Sequence, residues 1–341
     1  MSVIMAVIRS WQGIPNRGRE PSGVKEESRL KTLSVIAAGG ANVDVKVRTA
    51  SPPTEGRSTP GEVHLAPGGA ARNVAEALAR MGAEVALHTA VGADAFGDWL
   101  IAVTTAAGVD CAAVFRGPGQ TGIYVTVNGA GVADASLVES LDPAWPAWPG
   151  TEGVVRVLDA NLSASVIARL AAPASASRLV LIGTSPAKVA RLRPLLRDAW
   201  LLCLTAAEAA ALLGAGAHAG GEPLARAVAA LGPAQVLLTE GARGLGLLAD
   251  PHPSAARGRW WTHPARPAVA LVDPTGAGDV AAAALTFGLA ADLAPERILA
   301  AAAEAAAMTV GTWGNVPPEV GTVWKGISEG PTGSRSEPVG S

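Results

Sequence analysis

The sequence predicts an α/β protein with a doubly wound, mostly parallel sheet covered by helices on both faces, and a small β-sheet lid. Two observations carry this prediction. Short apolar runs at Val154–Leu158, Leu179–Ile182, Leu201–Leu204 and Val236–Leu238 alternate with segments of helical periodicity at about 164–172, 187–197, 206–213 and 222–231. That is the pattern of parallel strands buried on both faces. Other segments, at about 43–65 and 112–130, do not fit that sheet. Within them Val43–Val47 (VDVKV) and Ile123–Asn128 (IYVTVN) alternate apolar with polar residues, which suits a sheet exposed on one face.

The elements follow in order. Leu33–Ala38 (LSVIAA) reads as a buried strand ending in Gly39-Gly40. Ala70, Val74, Ala77, Leu78 and Met81 recur at helical spacing, and Gly82 stops that helix. Val85–Ala90 reads as a strand and Ala95–Ala106 as a helix capped by Asp94. Trp260-Trp261 fits a further strand. Trp145 and Trp148 lie in a Pro-rich connection and are expected to pack on the core, whereas Tyr124 is the better aromatic for touching a ligand. Residues 1–30 and 326–341 lack periodicity and are expected to be disordered, leaving a domain over 31–325.

Composition narrows the function. The 341 residues are 49% hydrophobic and 16% charged, enough for a sizeable core. A formal net charge of −2 supplies no broad positive field, so no nucleic-acid partner is expected. The most apolar stretch, 281–310, is broken by Gly288, Asp292, Pro295, Glu296, Arg297 and Glu304, so no membrane span is expected. Cys111 and Cys203 are too few for a disulfide framework and read as reduced thiols of a cytoplasmic protein. The five histidines show no metal-binding spacing.

Asp273-Pro274-Thr275-Gly276-Ala277-Gly278-Asp279 precedes a long Ala-rich helical run. Small residues before a helix let a ligand approach the backbone, and the free N–H groups of the first turn point at an anion. Asp279 there either complements the helix dipole or serves as a base beside a phosphate. No Lys-Ser or Lys-Thr follows, so this is not a Walker A loop, and no acidic residue ends a strand about 20 residues later, so it is not a dinucleotide fingerprint. Gly39-Gly40-Ala41-Asn42-Val43-Asp44 and Pro67-Gly68-Gly69-Ala70-Ala71-Arg72-Asn73 put short polar side chains at a strand end and a helix start. Asn42, Asp44 and Asn73 together suit vicinal hydroxyls. Arg72 reads equally as a helix-surface arginine.

These motifs, with Val91–Gly97 (VGADAFG) and Thr239–Gly244 (TEGARG), resemble in content and order the ribokinase/PfkB family of carbohydrate kinases, over about Leu33 to Val320. The resemblance implies a ribokinase-like fold, ATP, Mg²⁺ and transfer of the γ-phosphate to a sugar hydroxyl. It implies Asp279 as base and the backbone of Gly276, Ala277 and Gly278 as anion hole. Asn42, Asp44, Gly69, Asn73 and Asn161 would hold the sugar. Thr239, Gly241 and Gly244 would line the nucleotide site, with Asn315 near the adenine. Asp273 and Thr275 match positions that bind a monovalent cation, K⁺, in some members. Family lids often pair as dimers, which leaves a lid-mediated homodimer open here.

Within the family, GGANVDV, PGGAARNVAEALARMGA and LDANLS are most similar to pseudouridine kinases, which implies phosphorylation of the 5′-hydroxyl of pseudouridine. Ribokinase, adenosine kinase or fructokinase activity, or a weakly active sugar-binding paralogue, are the alternatives. Two departures bear on the last. Where the family usually carries Asn-x-x-Glu this chain has Thr205-Ala206-Ala207-Glu208, and Thr205 and Glu208 are expected to share a helix face and hold Mg²⁺ through water. Gly183-Thr184-Ser185 replaces a segment that is often acidic.

Overall fold

Along the central strands the buried side chains divide by parity between two cores. Val180 and Ile182 join one hydrophobic cluster, and Leu179 and Leu181 the other. Val35, Ala37, Val155, Val157, Leu201 and Cys203 belong to the first cluster, and Ala38, Leu158, Leu202 and Leu204 to the second. A strand with both faces apolar must be covered twice, so the sheet carries a helical layer on each side. A computed structural model describes residues 33–141, 153–170, 178–214, 220–249 and 258–328. The expected N-terminal extension, Trp145 and Trp148 lie outside these residues.

The first part of the chain forms β1 (Ser34–Ala38), β2 (Asn42–Thr49), β3 (Gly61–Gly68), α1 (Ala70–Arg80), β4 (Glu84–His88), β5 (Ala90–Gly92), α2 (Ala95–Ala106), β6 (Val109–Asp110), β7 (Phe115–Gly117), β8 (Ile123–Val127), β9 (Ala130–Asp134) and α3 (Ser136–Glu139). There follow β10 (Val155–Asp159), α4 (Ala164–Leu170), β11 (Arg178–Ile182), a 3₁₀ helix (Val189–Leu195), β12 (Ala199–Thr205), α5 (Ala206–Leu213), α6 (Gly221–Ala229) and β13 (Val236–Thr239). The last part forms β14 (Leu245–Ala249), β15 (Arg259–His263), α7 (Ala277–Ala290), α8 (Pro295–Val310) and α9 (Val320–Ser328). Helix α9 runs to Ser328, past the expected domain end at 325.

The large sheet has the order β15-β14-β13-β12-β11-β10-β1-β4-β6. It is parallel from β6 to β13 and antiparallel at the β13-β14-β15 edge. The lid is a separate sheet of order β3-β2-β8-β9. Its second segment starts at Ile123 rather than 112, because Phe115–Gly117 pairs with Ala90–Gly92 in a third small sheet. The expected strand Val85–Ala90 breaks at Thr89, whose hydroxyl donates to the Gly39 carbonyl at 2.6 Å. Asp94 caps α2 by accepting from the Gly97 amide, and also accepts from Thr121 N at 2.8 Å and Thr121 Oγ1 at 2.6 Å. The Val91–Gly97 motif is thus a structural brace that leads the chain into the lid. Among the described residues no helix is long and apolar enough to cross a membrane, and Cys111 and Cys203 are free thiols.

Candidate active site

From β1 the chain winds outward to β4 and β6 on one side, and β10 begins the winding on the other. In open α/β sheets a ligand crevice forms at such a switch point, beyond the carboxyl ends of the strands. A cavity of about 610 Å³ lies there, roofed by the lid. Asn42, Asp44, Gly69, Asn73, Asn161 and Asp279 all line it.

Asp159, at the end of β10 and fully buried, supports the cavity floor. Its carboxylate accepts from the backbone N–H groups of Gly40 (2.9 Å), Ala71 (2.9 Å) and Asn161 (2.8 Å). Burial pushes its carboxyl above the usual range even though these bonds oppose the shift. One side chain therefore ties the Gly39-Gly40 turn to the start of α1. Gly69 caps that helix with φ +95°, and a Cβ on it would meet the Gly40 carbonyl oxygen at 2.3 Å, so only glycine fits.

The polar side chains are held before any ligand arrives. Asn42 donates to Asp44 Oδ1 at 2.5 Å, and Asn315 donates to the other oxygen at 2.6 Å. Burial raises the Asp44 carboxyl above its ordinary value. Asn73 Nδ2 donates to Asp279 Oδ2 at 2.7 Å, while Asn73 Oδ1 accepts from Arg72 at 2.5 Å. Arg72 is not a surface arginine: it is buried, and it also donates to the Gly68 and Pro67 carbonyls and to Glu76. Asn161 sits over the Asp159 brace and accepts from Lys188 Nζ at 3.0 Å.

Gly276 caps α7 in the left-handed conformation, φ +87°. A Cβ there would meet the Asn315 carbonyl oxygen at 2.5 Å, whereas a Cβ on Gly278 would meet nothing within 4 Å. The Gly278 backbone is therefore open to the cavity, at a helix start where amides lack intrahelical acceptors. Asp279 lies on the same turn. Burial pushes its carboxyl up to about 7 against the Asn73 hydrogen bond, with the carboxylates of Asp159, Glu208 and Asp44 adding to the rise.

A second cavity of about 790 Å³ adjoins the first and shares Thr205, Thr239, Pro274 and Gly278 with it. Gly241 and Gly244 line it, and Leu271, Ala303, Ala307 and Val310 give it apolar walls. Asn315 is not among its lining residues. It is buried in the lid network, donating to Asp44 and to the Pro67 carbonyl, so the expectation that it lies near an adenine is corrected.

The remaining expectations change in detail. Thr205 is the N-cap of α5: its hydroxyl accepts from Glu208 N at 3.2 Å and Glu208 Oε2 accepts from Thr205 N at 2.8 Å, a reciprocal capping box. The Thr205 oxygen thus holds the helix, while the residue stays exposed and lines the first cavity. Glu208 still lines the first cavity, and burial raises its carboxyl. A Cβ on Gly183 would meet Glu208 Oε2 at 2.5 Å, so Gly183 makes room for this side chain. At Asp273 the residues present do not fit a free monovalent ion. Asp273 Oδ1 accepts from Thr275 N at 2.7 Å and from Lys46 Nζ at 3.2 Å.

Sequence reasoning missed Lys46, Lys188 and the Asp159 brace. The signal for Asp159 was a carboxylate closing a mostly apolar strand, VRVLD. Tyr124 lines the first cavity from the lid, and its ring fills the space above Gly131.

The profile of the pfkB family carbohydrate kinases matches residues 32–319. The chain is 28% identical over 144 residues to the Escherichia coli "Uncharacterized sugar kinase YeiI", an alignment covering 39% of each chain. It is 30% identical over 146 residues to the E. coli "Pseudouridine kinase", covering 39% of this chain and 46% of that one. The chain thus spans less than half the length of these curated relatives. Its fold is similar to that of Arabidopsis thaliana ribokinase complexed with ribose and ATP, with TM-score 0.70 and 23% identity over 86% of this chain and 99% of that one. It is also similar to Thermotoga maritima ribokinase, with TM-score 0.69 and 21% identity over 86% and 99% of the two chains. With its switch-point cavity, glycine-lined helix start and matched profile, the chain belongs to the pfkB family of carbohydrate kinases.

Proposed function

We propose that this chain transfers the γ-phosphate of ATP to the 5′-hydroxyl of a ribosyl substrate, with pseudouridine as the acceptor. The observation that carries the reading is the position of Asp279. Its carboxylate faces the polar cavity, one residue from Gly278, whose backbone opens on both cavities. In the proposed step Asp279 takes the hydroxyl proton, the freed oxygen attacks the γ-phosphorus, and the bond to the β–γ bridging oxygen breaks to release ADP. The amides of Gly276–Gly278 and the α7 dipole stabilise the charge on the transferring group.

The apolar second cavity suits an adenine; Thr239, Gly241 and Gly244 line it, and Thr239 also lines the first cavity. Glu208 is a hard oxygen donor lining the first cavity, and no cluster of three or more acidic, His or Cys side chains forms a dedicated metal cage among the described residues. That donor set fits Mg²⁺ carried largely by phosphates and water, with Glu208 as its protein partner through water. When bound, Mg²⁺ neutralises charge developing on the phosphates.

Support for the acceptor comes from Asn42, Asp44, Asn73 and Asn161, which offer both donors and acceptors to ribose hydroxyls, and from the partial likeness to a protein named pseudouridine kinase. Tyr124, on the lid, is the residue we assign to the base. The test is Mg²⁺-dependent ATP consumption with pseudouridine, uridine, adenosine, ribose and fructose. Preference for pseudouridine supports the reading. Preference for another sugar moves the acceptor and keeps the kinase, and no turnover with any of the five removes both.

The reading extends to assembly. On the lid Leu65, Val45, Val125 and Val132 are successive cross-strand partners and so share one face, where Leu65 is 53% and Val132 77% exposed. We assign this apolar face to a second copy of the chain. Light scattering that gives a dimer, reduced to a monomer by Val132→Glu, is the expected result.

A further inference from the structure

Lys46 lies on β2, and its side chain is 1% exposed. Its Nζ donates three hydrogen bonds: to Asn315 Oδ1 at 2.6 Å, to the Trp313 carbonyl at 2.9 Å and to Asp273 Oδ1 at 3.2 Å. These use all three donors of an ammonium. An ordinary ion pair needs one carboxylate. Here a carboxylate, an amide oxygen and a backbone carbonyl converge on one positive atom, the mixed hard-oxygen set that alkali cations take.

The same acceptors hold the anion loop. Asp273 Oδ1 also accepts from Thr275 N, and Asn315 occupies the space that a Cβ on Gly276 would need. The ammonium, which does not line the cavity, thus reaches Thr275 through Asp273 and Gly276 through Asn315. Burial pulls the Asp273 carboxyl upward, but its bonds from Thr275 and the charge of Lys46 outweigh that and hold it below the usual carboxylate range. Arg48, two residues along the same strand face, donates to the Val272 carbonyl at 2.5 Å and lies over the Trp313 ring at 4.5 Å. Strand β2 therefore clamps both loops that supply the three oxygens.

We propose that the Lys46 ammonium is the resident monovalent cation of this chain, a tethered substitute for K⁺ that orders the anion loop and makes the protein independent of added alkali ions. A free K⁺ would have to share Asp273 and Asn315 with a like charge. Lys46 is a positioning residue: it touches neither acceptor nor nucleotide cavity, and it acts through Asp273 and Asn315. The effect on turnover rests on the kinase reading above, but the cation site itself does not.

The test compares potassium chloride with choline chloride at equal ionic strength, reading thermal midpoint and turnover for wild type, Lys46→Ala and Lys46→Met. Wild type is expected to give the same midpoint and, within twofold, the same turnover in both salts. Lys46→Ala is expected to lose at least tenfold in turnover in choline and to regain most of it, with several degrees of midpoint, in potassium. The longer Met side chain fills the site and is expected to show less rescue. If the variants fail to fold in choline, folding restored by potassium carries the same prediction. A wild type activated several-fold or stabilised by potassium overturns the proposal, and so does a Lys46→Ala protein that responds alike to the two salts or folds in neither. A wild type inactive on every acceptor defeats the kinase reading alone, since the midpoints still decide the cation site.

Discussion

Asn73, on the first long helix, donates its side-chain amide to Asp279 Oδ2 at 2.7 Å across 206 residues of sequence. The bond joins the two halves of the cavity. Its other end is fixed as well, because Arg72 holds the Asn73 oxygen and is itself held by Glu76 and two carbonyls of the Pro67–Gly68 turn. The orientation of the proposed base thus depends on a buried arginine that never reaches the cavity.

Removing the amide tests this dependence. A hydrogen bond to a charged group favours that charged form, by about 1.5–3 kcal/mol. Asn73→Ala is expected to lower kcat/KM by roughly ten- to a hundredfold. It is also expected to shift the acid limb of the pH–rate profile toward higher pH. A lower rate with an unmoved limb would mean that Asn73 binds the acceptor without tuning Asp279.

Asp279 sets that limb. With its carboxyl near 7 in the folded protein, the base is protonated and inactive below this value, so kcat/KM is expected to rise through about pH 7 and then level off. The linkage to stability runs in the same sense. A carboxyl whose folded-state pKa is raised from 3.8 to about 7 costs nothing below the lower value, and its burden grows as pH rises through the upper one. Asp279→Asn is therefore expected to stabilise the fold at pH 8 by up to about 4 kcal/mol, and not at pH 3.5. Urea unfolding at the two pH values checks this, and equal effects at both would contradict the burial argument.

Two glycines two positions apart separate fold from chemistry. Gly278→Ala adds a methyl group to open space, so its thermal midpoint is expected to stay near wild type while turnover drops sharply, because we propose that a phosphate meets the backbone in that space. Gly276→Ala forces an L-residue to φ +87° against the Asn315 carbonyl, and is expected to destabilise the protein by about 1–3 kcal/mol. Differential scanning fluorimetry with a turnover assay distinguishes the pair.

Arg72→Met leaves Glu76 with Arg80 alone and frees Asn73. Breaking a buried pair costs about 3–5 kcal/mol, so a fall of this size in urea unfolding is expected. A loss under about 1 kcal/mol would fit the surface arginine that the helix pattern alone allows.

The layers of the fold were legible because they follow from short-range pattern. Apolar runs located β1 and β10–β13, and the Asp94 cap and the Gly69 and Gly82 boundaries came from local chemistry. The glycine-lined loops were legible as well, since close backbone approach needs small residues. What escaped was long-range. Nothing near Lys46 in sequence says that residues 273, 313 and 315 converge on its ammonium, and its place in an alternating VDVKV strand suggests a solvent-facing lysine. Asn315 was misplaced for the same reason: its partners, Asp44 and Pro67, lie about 250 residues away. Thr205 looked like a changed metal ligand, yet its hydroxyl closes a capping box that was readable from Thr-x-x-Glu.

The most direct measurement is product formation from ATP, Mg²⁺ and pseudouridine by wild type and by Asp279→Asn, followed by phosphorus NMR. The account predicts a 5′-monophosphate from wild type and a rate reduced by about 10²–10⁴-fold in the variant, with a thermal midpoint above that of wild type at pH 8. Near-normal turnover by Asp279→Asn would contradict it.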